Sequence, residues 1–121
     1  MGEKISYRVA HVGISLSSLS EADSVAETLS RLFNLDRSGG NGNGNFFVGP
    51  SIEIMDHRQN GTYGHIGLET DDVEAAMAEL AARGISFREE TFVRDETGKV
   101  IFTYLKPEIS GFAFHLMQTK K

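Results

Sequence analysis

Polar and apolar residues alternate with a period of two in several short stretches of the chain, and one such pattern occurs twice. Residues 9–14 read Val-Ala-His-Val-Gly-Ile, and residues 64–68 read Gly-His-Ile-Gly-Leu. Both contain the order His, apolar, Gly, apolar. Successive side chains of a strand point to opposite faces, so each stretch predicts a strand with its histidine and glycine on one face. The aliphatic residues then lie on the other face.

A helical pattern follows each of these two strands. In the first, we expect Ser20 to be the N-cap with Asp23 at the third helical position. In the second, we expect Asp71 to be the N-cap, with Glu74 returning the hydrogen bond and Gly84 ending the helix. The predicted buried faces are Ala22, Val25, Ala26, Leu29, Leu32 and Phe33 in the first helix, and Val73, Ala76, Met77 and Leu80 in the second. Each helix should cover a sheet.

Shorter apolar stretches complete each half of the chain. The Gly- and Asn-rich residues 34–45 predict a flexible loop that shortens a strand of the first half. The remaining predicted strands are 46–48 and 51–55, joined by Gly49-Pro50, and then 85–92, 100–105 and 112–117. The chain thus reads as one domain over residues 1–121, in which a unit of strand, helix and further strands occurs twice, at about 6–56 and 62–118.

Composition narrows the class of protein. The chain has 121 residues, of which 40% are hydrophobic and 24% charged, as in a globular domain. It contains no cysteine, so a metal would be held by His, Asp or Glu. The net charge of −5 and the scattered Lys and Arg residues argue against nucleic acid or an anionic membrane as partner. With no signal-peptide pattern, we expect a cytoplasmic protein.

Four polar side chains should share the sheet face that the helices leave open: His11, Glu53, His65 and His115. Burying such groups unpaired costs roughly 1–3 kcal/mol each. A divalent cation would remove that cost, and imidazoles with one carboxylate suit Zn, Ni, Co, Mn or Fe(II). One histidine on a strand is more often an ordinary core residue, but the repeat and the matching strand parity favour ligation. His57 lies in the polar segment that connects the two halves of the chain, and we expect it to be exposed to water.

The motifs H-V-G-I, I-E-I, H-I-G-L and G-F-A-F-H-L, in this order from about residue 7 to 118, resemble the vicinal oxygen chelate superfamily. Glyoxalases, fosfomycin-resistance proteins and extradiol dioxygenases belong to it. The resemblance implies an α+β fold of two βαβββ modules, paired half-barrels that form a cleft with a divalent metal at its floor. It assigns His11, Glu53, His65 and His115 as ligands. The last of these positions is most often Glu in the superfamily, so the site here carries one carboxylate fewer.

The ending L-K-x-E-I-x-G-F-A-x-H-L, residues 105–116, also resembles the glyoxalase-like domains associated with keto-deoxy-phosphogluconate and keto-hydroxyglutarate aldolases. That likeness implies a small 2-oxo or hydroxy acid, including sugar-derived acids, as substrate. The resulting hypothesis is a metal-dependent lyase or isomerase. Two vicinal oxygens of the substrate chelate the ion, and Glu53 or His115 acts as base.

Two other functions stay open at this stage: a small-molecule binding or resistance module without chemistry, and a metal-dependent dioxygenase. The resemblance also implies a homodimer, in which the modules pair within one chain or swap between chains. Arg88 and Arg94 are candidates for contact with a substrate carboxylate, although a solvated charge is more typical of either. The aromatic residues that could line the cleft, or belong to the core, are Phe46, Phe47, Phe102 and Tyr104.

Overall fold

Eight strands and two helices make up the parts of the chain that the computed structural model describes, residues 5–39, 45–57 and 60–119. In chain order they are β1 (Arg8–Ser15), α1 (Leu19–Phe33), β2 (Arg37–Gly39), β3 (Phe46–Val48), β4 (Ile52–Met55), β5 (Gly64–Thr70), α2 (Val73–Ala82), β6 (Phe87–Arg94), β7 (Val100–Leu105) and β8 (Phe112–Gln118). Among the described residues, neither helix is long and apolar enough to span a membrane.

All the strands belong to one sheet, in the order β2-β3-β4-β1-β5-β8-β7-β6. The two repeated strands, β1 and β5, are antiparallel neighbours at its centre. Each is flanked by the last strand of its own half, because β1 runs parallel to β4 and β5 runs parallel to β8. The two halves therefore pair within one chain. The α+β fold predicted from the sequence is confirmed, and the four strands with the predicted ligands are consecutive.

The helices bury the aliphatic side of the sheet in two clusters. In the first cluster, Ala22 and Ala26 of α1 pack with Val48 and Ile54 of the sheet, and all four are buried. In the second, Val73 and Ala76 of α2 pack with the sheet residues Val100, Leu105 and Leu116, also buried. Burial of a large aliphatic side chain contributes about 1.5–3 kcal/mol, so these clusters hold the helices to the sheet. The polar residues of the same strands then face the other way.

The first helix begins two residues earlier than predicted. Ser18 is the N-cap and accepts a hydrogen bond from the Glu21 backbone N–H at 3.1 Å, while the Glu21 carboxylate accepts from the Ser17 N–H at 2.8 Å. The prediction of Ser20 was wrong, because Ser20 lies inside the first turn. At the other end, Leu32 and Phe33, also predicted as buried, are 59% and 62% exposed. The apolar cluster behind α1 reaches only to Leu29, so the last turn lies beyond it.

The second helix is capped by Asp72, not by the predicted Asp71. The Asp72 carboxylate accepts from the Ala75 N–H at 3.1 Å. Glu74 does not return the capping bond; its Oε2 accepts the Val100 N–H at 2.9 Å and ties the helix to β7. The predicted stop is confirmed, because α2 ends just before Gly84, whose φ of +91° is a left-handed angle that glycine adopts easily.

The glycine-rich stretch between α1 and β3 differs in part from the predicted loop. Its start forms the three-residue strand β2, which pairs with β3 and matches the expected shortened strand. Residues 40–44 of that stretch lie outside the described residues, as do residues 58 and 59 of the polar connection. In the second half, β6 covers Phe87–Arg94, two residues later than the predicted 85–92.

Candidate metal centre

Three imidazole rings meet where the two halves of the sheet join. The Nε2 atom of His11 lies 3.1 Å from Nε2 of His65 and 3.2 Å from Nε2 of His115. One ring nitrogen from each histidine lies within 4.8 Å of the other two. His65 and His115 are 4% and 2% exposed, so these rings are buried. The structure therefore places the three histidines next to one another, as the sequence predicted.

Glu53 joins this cluster from β4. Its Oε1 atom lies 3.2 Å from His65 Nε2, and its Oε2 accepts from Asn45 Nδ2 at 3.3 Å. The fourth histidine, His57, is exposed and stays outside, with its Nδ1 at 2.5 Å from Asp56 Oδ1. The structure thus brings together the four residues singled out from the sequence. Their role as metal ligands stays a prediction.

The glycines of the repeated motif make room for these rings. In the antiparallel pair of β1 and β5, Gly13 stands opposite His65 and Gly67 stands opposite His11. A Cβ atom on Gly13 would lie 2.1 Å from His65 Cε1. One on Gly67 would lie 2.7 Å from His11 Cε1, and 2.6 Å from Cε1 of His115 in its own half. Neither space can hold a methyl group unless an imidazole ring shifts. The repeated His-x-Gly motif is therefore reciprocal, because each half supplies an imidazole and the space for the imidazole of the other half.

The protonation states suit metal ligation. Burial lowers the pKa of His11, and the nearby His65 lowers it further. Burial, followed by His11 and His65, lowers the pKa of His115 to about 3. The hydrogen bond with His65 lowers the pKa of Glu53 against the opposing effect of burial. At neutral pH, His11 and His115 are therefore neutral and Glu53 is ionised, which are the forms that bind metals.

The spacing of the donor atoms fits a first-row divalent ion. With metal–nitrogen bonds of about 2.0–2.1 Å, the donors of a tetrahedral site stand about 3.3 Å apart. His11 Nε2 lies 3.1 and 3.2 Å from the Nε2 atoms of the other two histidines, close to this value. Glu53 Oε1 lies 3.2 Å from His65 Nε2, but among the described residues the group of donors that all lie within 4.8 Å of one another contains the three histidines alone. Three neutral imidazoles and one carboxylate would leave such a site with a net positive charge. The residues could hold Zn, Ni, Co, Mn or Fe(II).

One feature departs from most metal sites. The Nδ1 atoms of His65 and His115 are buried, and neither has a hydrogen-bond partner among the described residues. A metal-bound imidazole usually donates that proton to an acceptor, which orients the ring. For His115, aromatic side chains pack against the ring instead. Phe102 stacks on His115 with ring centres 4.6 Å apart, and Tyr104 meets the same ring edge-on at 4.9 Å.

These donors line a cavity of 240 Å³ on the open face of the sheet. Its wall consists of His11, Asn45, Glu53, Met55, Asn60, His65, Phe102, Tyr104 and His115. Of the four aromatic candidates, Phe102 and Tyr104 line the cavity. Phe46 packs against the core behind α1, and Phe47 is 38% exposed.

The two candidate arginines differ in position. Arg88 lies beside the cavity and donates from Nη1 to Asn60 Oδ1 at 2.8 Å. Arg94 donates to the Gly98 carbonyl oxygen at 2.8 Å and lies over Phe92, away from the cavity wall. Sequence reasoning missed Asn60, because a single polar residue in a polar connection gives no periodic signal.

Tyr104 contributes a phenol hydroxyl group to the cavity wall. Burial and the charge of Glu53 raise its pKa to about 12, while Arg88 and a hydrogen bond from Asn60 act in the opposite direction. Tyr104 therefore keeps its proton at neutral pH and can donate a hydrogen bond into the cavity.

No protein-family model and no curated protein sequence matches this chain. Solved structures do match it in fold. A hypothetical protein from Bacillus halodurans C-125 has a TM-score of 0.61 at 18% identity, with 96% of each chain covered. A Streptomyces coelicolor methylmalonyl-CoA epimerase variant, bound to 2-nitronate-propionyl-CoA, has 0.59 at 19% identity, covering 94% of this chain and 98% of that one.

The methylmalonyl-CoA epimerase from Mycobacterium tuberculosis is similar as well, with a TM-score of 0.58 at 15% identity and 93% and 88% of the two chains covered. Identities this low show a common fold and leave the activity to be argued from the site. The chain has the glyoxalase-like fold of these epimerases.

Proposed function

We propose that this protein is a divalent-metal-dependent isomerase or lyase of the vicinal oxygen chelate superfamily, acting on a small 2-oxo or hydroxy acid. The observation that carries the proposal is the meeting of three histidines in the wall of one cavity, with His11 Nε2 at 3.1 and 3.2 Å from the other two Nε2 atoms. The Glu53 carboxylate lies beside them in the same wall, 3.2 Å from His65 Nε2. A bound cation would offset the cost of burying several polar groups so close together.

His11, His65, His115 and Glu53 would hold the ion. Bound there, it would act as a Lewis acid that stabilises negative charge on two vicinal oxygens of the substrate. Such stabilisation is what proton abstraction beside a carbonyl group requires, and it serves isomerisation and carbon–carbon cleavage alike.

Glu53 is the better candidate for the base of the two residues singled out from the sequence. Its side chain is 17% exposed, one oxygen faces His65, and the other is held by Asn45. Its lowered pKa keeps it ionised and able to accept a proton at neutral pH. His115 is more deeply buried, and its Nε2 faces His11, which suits a ligand better than a mobile base.

The cavity favours a small substrate. Its 240 Å³ is below the range of roughly 300–1,000 Å³ that is usual for pockets of drug-sized ligands. The resemblance of residues 105–116 to domains associated with keto acid aldolases supports a 2-oxo or hydroxy acid, including sugar-derived acids. The fold likeness to epimerases supports isomerisation over cleavage.

Metal content tests the proposal first. The protein should be purified without a His tag, loaded separately with Zn, Ni, Co, Mn and Fe(II), and analysed by mass spectrometry for bound metal. We expect about one ion per chain. His65→Ala and His115→Ala should each lose it, and the matched control His57→Ala should retain it. Wild-type protein that binds no metal after loading would leave only the non-catalytic binding module.

Chemistry is tested next with the metal-loaded protein in D₂O. We expect deuterium to enter 2-oxo acids at the carbon beside the carbonyl group, as followed by proton NMR, and Glu53→Gln to lose this exchange. Metal binding without exchange for a panel of 2-oxo and hydroxy acids would contradict the proposed reaction. Oxygen uptake with catechols by the Fe(II) form would indicate a dioxygenase. The homodimer and the cytoplasmic location stay predictions from the sequence.

A further inference from the structure

A second cavity shares a wall with the cavity of the metal centre. It has a volume of 390 Å³ and is lined by Val93, Ile101, Phe102, Met117, Gln118 and Thr119. Phe102 also lines the smaller cavity that contains the histidines. Its ring stacks on His115 with ring centres 4.6 Å apart, so the side chain that packs on a proposed metal ligand also borders the second cavity.

The register of the strands explains why the two cavities adjoin. Tyr104 of β7 stands opposite His115 of β8, and Phe102 stands opposite Met117. On the other side of β7, Val93 of β6 pairs with Phe102. Residues two apart on a strand point to the same face and lie about 7 Å apart. Met117, Phe102 and Val93 therefore form an apolar row across the open face of the sheet, beside the row that contains the histidine.

The lining of the second cavity is suited to apolar contact. None of its six residues is charged. The Gln118 carboxamide is engaged by the start of α2, because its Oε1 accepts from the Val73 N–H at 3.1 Å and its Nε2 donates to the Asp71 carbonyl oxygen. The Thr119 hydroxyl oxygen accepts from Arg8 Nη2 at 2.6 Å. An apolar group bound there would be stabilised because it leaves water.

We propose that this second cavity is a subsite for an apolar substituent of the ligand whose chelating oxygens bind at the metal centre. The inference rests on the proposed function, because the metal centre holds the chelating end. A substituent must pass Phe102 to reach the subsite. The distance of about 7 Å corresponds to about six bonds, since an extended chain advances roughly 1.2 Å per bond.

This subsite narrows the proposed substrates to 2-oxo or hydroxy acids that carry an alkyl or aryl substituent, in place of the polar chain of a sugar acid. A second copy of the chain is the alternative occupant of an exposed apolar surface. The wall that Phe102 shares with the metal centre favours the ligand, because one molecule can then contact both cavities.

Two hydroxamates with the same chelating end test the subsite. Acetohydroxamate ends in a methyl group, whereas octanohydroxamate continues as a saturated chain long enough to pass Phe102. Their dissociation constants would be measured by calorimetry on metal-loaded protein. Each buried methylene group should tighten binding roughly fourfold, so we expect octanohydroxamate to bind at least about tenfold more tightly. A hydroxamate of the same length that ends in a carboxylate should gain less, because burial of its charge is unfavourable.

Val93 offers the sharpest variant, because it lines the second cavity and is 49% exposed. Val93→Asp should fold normally and place a charge beside the alkyl chain. We expect its affinity for octanohydroxamate to fall at least about fivefold, and its affinity for acetohydroxamate to change little. Met117→Gln should show the same selective loss. The matched control is Val9→Asp, because Val9 is also an exposed strand valine and lines neither cavity.

Metal content and the oligomeric state, by light scattering, would be measured for each variant. Wild-type protein that fails to bind metal or acetohydroxamate would overturn the proposed function and this inference with it. Metal-loaded wild type with equal affinity for both hydroxamates would overturn the inference alone, and so would equal losses in Val93→Asp and Val9→Asp. A wild-type dimer that Val93→Asp converts to monomers would also overturn it, because the apolar row would then bind a second copy of the chain. If Met117→Gln fails to fold, Val93→Asp alone decides.

Discussion

Replacing Gly67 with alanine should move two imidazoles of the metal centre without changing any proposed ligand. The new Cβ atom would lie 2.6 Å from His115 Cε1 and 2.7 Å from His11 Cε1. Non-bonded carbon atoms prefer separations of about 3.5–4.0 Å, so each ring must shift by about 1 Å. Since metal–nitrogen bonds have nearly fixed lengths, a shift of this size separates donor atoms that now stand 3.2 Å apart.

We expect Gly67→Ala to weaken metal binding about 10- to 100-fold, as changes around a metal centre typically do. Overpacking should also lower the free energy of unfolding of the metal-free protein by about 1–3 kcal/mol. The first value would be measured by competition with a chelating dye and the second by urea denaturation. Ile54→Val is the control, because it should cost about 0.5–1.5 kcal/mol on the helix side of the sheet and leave the metal affinity unchanged.

The result that would refute this reasoning is a Gly67→Ala protein with wild-type metal affinity. It would mean that the rings have room to turn while keeping their donor atoms together. Equal losses of metal affinity in Gly67→Ala and Ile54→Val would also refute it, because general destabilisation would then explain both.

Three further predictions concern stability. Ser18→Ala should cost about 1 kcal/mol in urea denaturation and Ser20→Ala much less, because Ser18 is the cap; similar losses would contradict that assignment. In metal-free protein, His115 has a folded pKa of about 3 against 6.5 unfolded. The unfolded chain alone takes up this proton as the pH falls below 6.5, so stability should drop by about 1.4 kcal/mol per pH unit. His115→Gln should flatten that slope in denaturation series between pH 7 and 4, and an unchanged slope would disprove it. Glu74→Ala should cost about 1–3 kcal/mol by leaving the Val100 N–H unpaired, and a neutral effect on the melting curve would count against that contact.

The face of the sheet on which the site lies could be predicted from the alternation of side chains along the strands. His11, Glu53, His65 and His115 each alternate with aliphatic residues that pack against a helix, so all four must face the other side. The order β4-β1-β5-β8 then places them on neighbouring strands. The alternation predicts which face of the sheet a side chain occupies, but it does not predict the distances between side chains on different strands. The approach to 3.1–3.2 Å depends on the register between strands that are distant in sequence.

Helix boundaries were predicted less well. Ser18 and Ser20 both suit an N-cap, and so do Asp71 and Asp72, so only the backbone geometry distinguishes them. The exposed Phe33 has a similar cause. Helical periodicity assigns it to the apolar face, but it does not show where the sheet beneath the helix ends.

The role of the glycines and of Asn60 required the structure. Gly13 and Gly67 read as ordinary strand glycines until the register places each opposite a histidine of the other half. Asn60 lies in a polar connection, where nothing in the sequence pattern distinguishes it from its neighbours. Its partner Arg88 was a candidate together with Arg94, and the contacts with Asn60 and Tyr104 separate the two.

Each half of the chain has a glycine opposite a histidine of the other half, so the residues tolerated in one half depend on the sequence of the other. A bulkier residue at position 13 would exclude the His65 ring, although the two positions are 52 residues apart. Consider a chimera that joins the first half of this chain to the second half of a structural relative. Its donor atoms would keep their positions only if each half has a small residue opposite the histidine ring of the other half. Gly13 and Gly67 are therefore the two positions to compare first when halves of related chains are exchanged.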